Sequence, residues 1–240
     1  MALLTTRIAK HRRDSQRRGW LHRAAESGDL YMVRTLVNAG AKTNWNWSGF
    51  PIASPVYLAG KEGQPKVIEL ILSLQSDLIK FITSVDPSVL HACAYTGDLK
   101  LVMKILRAFK YPRRLCGHPS FRPRFYVPYE GVALIHAAAY GGNPCIIRQF
   151  AKRQVDLFAL TRCRMTALHV AALKGHCHAI KLLVYYKVPI EAVDRLGRTA
   201  WSLAMGCGHF EAAQLLVKLG AKENVGYHNV SFSWDNLAGG

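Results

Sequence analysis

Acid is scarce in this chain. Its 240 residues hold 15 Asp and Glu against 32 Lys and Arg, a formal net charge of +17. That excess points toward acidic partners, which are carboxylate-bearing protein, nucleic acid or anionic lipid. Reaction motifs are also missing. There is no G-x-x-x-x-G-K-[ST] to cradle a phosphate, no H-E-x-x-H and no G-x-S-x-G, and no paired carboxylates suggest acid/base work. The expectation is a chain that is not an enzyme and needs no cofactor, metal or small-molecule substrate. Cysteines are few and ill-spaced for chemistry: Cys93, Cys116, Cys145, Cys163, Cys177 and Cys207 contain no C-x-x-C pair, so they are expected to be free packing thiols in a reducing compartment. No apolar run approaches the roughly 20 residues of a spanning helix, since the best candidate, residues 67–74, is broken by Glu69 and Ser73. The expected location is intracellular, in cytoplasm or nucleus.

What the chain does have is one stretch written six times. Residues 166–175 read TALHVAALKG, and variants of it end at Gly28, Gly63, Gly97, Gly142, Gly175 and Gly208, at intervals of 35, 34, 45, 33 and 33. Leu168, Ala171 and Ala172 fall on one face at helical spacing, and their small side chains let neighbouring helices approach. The recurring glycine takes a left-handed backbone cheaply and so ends that helix. A second apolar helix follows at once, with Val33, Leu36 and Val37 in the first copy, Ile180, Leu182, Leu183 and Val184 in the fifth, and Phe210, Ala213, Leu215 and Leu216 in the last. One copy cannot bury both faces, whereas stacked copies can.

A period near 33 with an L-H-x-A core resembles the ankyrin-repeat family, over residues 18–222. The resemblance implies an all-α solenoid of about six helix-turn-helix repeats with short finger turns, and binding rather than catalysis. Tyr57 and Ser202 stand where the family has His, and residues 161–165 lack the finger glycine that Gly197 supplies one repeat later. The repeat also absorbs most histidines: His22, His91, His136 and His169 fill the core motif, and His176 and His209 follow a turn glycine. His176, Cys177 and His178 are consecutive, so on a helix start they diverge and make a poor metal set.

Around the array lie three departures. Residues 1–17 form a basic tail with Arg7, Lys10, Arg12 and Arg13 against Asp14. It fits a nuclear-import address, a grip on phosphates or anionic lipid, a mitochondrial presequence, or a solvated tail. The first connection carries Trp45 and Trp47, aromatics that serve either as binding anchors or as a lid on the first helix pair. Residues 110–130 are an insertion mixing prolines and arginines, with Arg122, Arg124, Phe125 and Tyr126 at its centre. Basic residues among aromatics suit phosphate and base stacking, an acidic protein surface, or a plain loop packed on the outer helices. Residues 223–240 form a C-terminal tail.

In this family, the resemblance implies, fingers and first helices line the concave side. There Arg162, Arg164, Arg195 and Arg198, with Lys174, would form a basic band toward an acidic segment of another protein, because guanidinium matches carboxylate in fork geometry. The expected function is a protein-interaction adaptor or scaffold. Direct binding to nucleic acid or anionic membrane through basic patches is the alternative.

Overall fold

The structure is a computed structural model that describes residues 19–41, 54–74, 88–108 and 132–223. The tails, Trp45, Trp47, the insertion and its Arg122, Arg124, Phe125 and Tyr126 lie outside the described residues. Twelve α-helices and no strand occur among the described residues, arranged as helix pairs in two compact units.

The first unit pairs α1 (Trp20–Ser27) with α2 (Leu30–Asn38), α3 (Pro55–Lys61) with α4 (Pro65–Leu74), and α5 (Ser88–Tyr95) with α6 (Leu99–Ala108). First helices stack in series, α1 on α3 and α3 on α5, while α2 packs on α4. The second unit pairs α7 (Leu134–Gly141) with α8 (Pro144–Lys152), α9 (Ala167–Leu173) with α10 (Cys177–Tyr185), and α11 (Ala200–Gly206) with α12 (Phe210–Lys218). Here α9 touches both α7 and α11, and α10 touches both α8 and α12.

Each pair turns where the sequence places its glycine. All six turn glycines are left-handed, with φ between 69° and 79°. The following helix then starts on a polar cap: Asp29 Oδ1 accepts from Met32 N at 2.9 Å, and Asn143 Oδ1 from Cys145 N at 2.9 Å. Caps of the first helices use the core histidine. In α9, Thr166 N donates to His169 Nδ1 at 3.1 Å, which leaves the proton on Nε2 to be donated to Arg198 O at 3.1 Å, one repeat onward. His136 does the same between Ala133 N and Met165 O, both at 3.0 Å. In the sixth copy Ser202 keeps only the local half, its Oγ accepting from Thr199 N at 3.0 Å. At the histidine position of the second copy the Tyr57 ring lies edge-on to Tyr95 with centroids 5.8 Å apart.

The core follows the expected faces with particular exceptions. Leu168, Ala171, Ala172, Ile180 and Leu183 are buried, as are Val33, Leu36, Val37, Ala213 and Leu216. Leu182, Val184 and Leu215 are only half-buried. Phe210, expected in the stack, is 60% exposed, because the first residue of α12 projects away from the pair. Gly60 in α3 has a different cause from the turn glycines. A Cβ there would lie 2.4 Å from Ala92 Cα and 2.5 Å from its carbonyl oxygen, so the backbones of α3 and α5 close over a position that admits no side chain.

Candidate functional site

Two finger turns of the second unit share one backbone. In the first, Thr161 N donates to Met165 O at 3.0 Å and Arg164 N to Thr161 O at 2.9 Å; in the next, Asp194 N donates to Arg198 O at 3.0 Å and Gly197 N to Asp194 O at 3.1 Å. The missing finger glycine changes nothing in the path. Arg164 takes φ 60° where Gly197 takes 75°, a left-handed conformation that costs a non-glycine residue about 1 kcal/mol. The turns are tied to each other, since Arg195 N donates to Cys163 O at 2.8 Å.

Arg162, Arg164 and Arg195 are exposed on these tied turns. Arg198 departs from expectation. Its side chain is buried, with Nη2 at 2.6 Å and Nε at 2.8 Å from Asp194 Oδ2, while Asp194 Oδ1 accepts from Leu196 N at 2.9 Å and Arg198 N at 2.8 Å. Arg198 is therefore part of the turn's own hydrogen-bonded frame and leaves the exposed band. The signal was present: an aspartate four residues before an arginine across a Gly turn can close such a pair. Lys174 also stands apart. It caps the far end of α9, a helix of 7 residues or about 10 Å, and its Nζ sits 4.1 Å from the centroid of the Tyr140 ring.

Exposed apolar residues share the arginines' turns. Leu160 and Val193 occupy the same register in successive repeats and are 50% and 46% exposed, and Leu196 is 63% exposed beside Arg195. Sequence reading had passed over them, although the 33-residue register pairs Leu160 with Val193. The edge is thus apolar and cationic at once. Asp194 is the single acid within residues 161–165 and 194–198, and Arg198 engages it.

His176 and His209 are structural in position. His176 Nε2 donates to Tyr140 O at 2.8 Å, and its ring lies where a Cβ on Gly142 would collide at 2.5 Å; His209 packs likewise over Gly175 at 2.7 Å. Burial, against the pull of their carbonyl partners, holds His169 and His176 below the usual histidine range. Burial also raises the thiols of Cys93 and Cys207, which disfavours the reactive thiolate. Among the described residues no cluster of three His, Cys, Asp or Glu could hold a metal ion.

Residues 134–226 match the family model for ankyrin repeats, in three copies. Over residues 134–226 the chain is built of ankyrin repeats. The match begins at the first helix of the second unit and runs through its three helix pairs, which carry His136, His169 and the two tied fingers. No curated protein matches the chain. Ankyrin repeats generally mediate protein–protein interaction, and the family is typically non-enzymatic.

Proposed function

We propose that this ankyrin-repeat protein is an interaction adaptor or scaffold whose paired fingers, residues 161–165 and 194–198, recognise an acidic segment of a partner protein. One observation carries the reading: Arg162, Arg164 and Arg195 are exposed on turns joined by a backbone hydrogen bond, while the turns' one carboxylate is occupied internally. An extended peptide lying across both turns would meet guanidinium groups roughly 10 Å apart, matching a carboxylate at every third residue. Leu160, Val193 and Leu196 supply apolar contact between the cations, so acidic residues alternating with apolar ones fit better than a purely acidic run. The fixed turns are preorganised, which keeps the ordering cost on the peptide's side.

A pull-down with the intact chain tests this, run with and without nuclease. Recovery of proteins that survive nuclease and share acidic segments is expected. Capture that nuclease abolishes contradicts it, because the ligand is then nucleic acid.

A further inference from the structure

The outer helices of the second unit carry a separate cationic surface. Arg148, Lys181 and Gln214 hold one position in successive repeats, 33 residues apart, and Lys152, Tyr185 and Lys218 hold the position four residues on. All six are exposed, Tyr185 at 73%. Because α8, α10 and α12 pack side by side, the six form a grid with about 10 Å between helices and about 6 Å along each. Neither α8 nor α10 contains an acid, and Glu211 in the first turn of α12 is the only one on the three helices. Helix electrostatics explains part of this. Lys152 and Lys218 lie in last turns, where the macrodipole favours a cation. Arg148 and Lys181 lie mid-helix and have no carboxylate three or four residues away on their own helices, so neither the dipole nor local pairing accounts for them.

We propose that this outer face docks on an anionic membrane surface. A bilayer offers phosphates and carboxylates in a plane, and the grid is two-dimensional, whereas a nucleic acid strand offers phosphates in a line. Tyr185 stands at the centre of the cations, with its neighbour Tyr186 edge-on at 5.4 Å. An exposed tyrosine among cations has the chemistry of the headgroup region, where an apolar ring body and a polar hydroxyl are both satisfied. The surface lies on other helices than the finger edge, so neither proposal needs the other.

The test is co-sedimentation of the intact chain with vesicles of phosphatidylcholine alone or with about 30 mol % phosphatidylserine. Three chains are compared: the parent, Arg148→Glu with Lys181→Glu, and Arg162→Glu with Arg195→Glu. Each cation near an anionic leaflet multiplies binding about fivefold, so the outer-face pair should lose at least tenfold. The finger pair should bind as the parent does, neutral vesicles should bind none, and added salt should release the parent. If reversal disturbs folding by circular dichroism, the Arg148→Gln, Lys181→Gln chain carries the same comparison with a smaller loss. The proposal is overturned if the outer-face variants bind acidic vesicles as tightly as the parent. It is equally overturned if the parent ignores vesicles but binds homopolymer RNA through these residues.

Discussion

Arg198 and Asp194 close the second finger turn from within, two side chains 9% and 1% exposed joined at 2.6 Å and 2.8 Å. One repeat earlier the same two positions are Thr161 and Met165, and there Thr161 Oγ1 accepts from Met165 N at 3.0 Å. One backbone is thus held by an ion pair in one finger and by a hydroxyl beside an apolar side chain in the other. Removing only the acid should be severe. Asp194→Ala removes the ion-pair partner of a buried guanidinium and the side-chain acceptor of two backbone N–H groups, and should cost about 3–5 kcal/mol. The double change Asp194→Thr, Arg198→Met copies the earlier finger and should cost about 1 kcal/mol or less. Urea unfolding of the three chains measures both.

Gly60 and Gly63 should respond differently to alanine. Gly60→Ala drives a methyl into the Ala92 backbone, which cannot rotate away as a side chain can, and should cost about 3 kcal/mol or more. Gly63 has φ 69° and nothing within 4 Å of a Cβ, so Gly63→Ala should cost only the left-handed strain of about 1 kcal/mol. Equal losses in thermal or urea unfolding would show that α3 and α5 are not in backbone contact.

Much of the fold could be read from residues alone, because each repeat announces its own periodicity. The Leu-His core, the turn glycines and the faces of the second helices need only local spacing. What escaped reading depends on a neighbour. The need for Gly60 lies in the Ala92 backbone packed against it, and Arg198, expected as a finger cation, is held by Asp194. Phe210 counted as apolar at the right interval, yet first-turn geometry turns it outward. At the candidate site, the exposed arginines were legible and the apolar residues between them were not, since exposure is a property of the turn and not of residue type.

Acid should weaken the array before carboxylates titrate. Burial holds His169 and His176 below the usual range, so the unfolded chain, with pKa near 6.5, binds protons that the folded chain refuses. Stability is therefore full above about pH 6.5 and falls as pH drops below it, by at most about 1.4 kcal/mol per pH unit for each histidine. The urea midpoint should be lower at pH 5.5 than at pH 7.5 by this linkage. His169→Ser, which keeps the local cap in the manner of Ser202 and gives up the bond to Arg198 O, should lower the midpoint at pH 7.5 but shrink its pH dependence.

If exposed finger arginines carry affinity for an acidic protein segment, reversing their charge must weaken binding. Titration of a nuclease-resistant partner against the parent chain and against Arg162→Glu, Arg195→Glu, at low salt where electrostatic contributions are largest, is the measurement. A loss of about 2–5 kcal/mol in binding is expected, from lost attraction plus added repulsion, with the melting temperature unchanged because both side chains are exposed. Equal binding of every recovered partner by the two chains would contradict it.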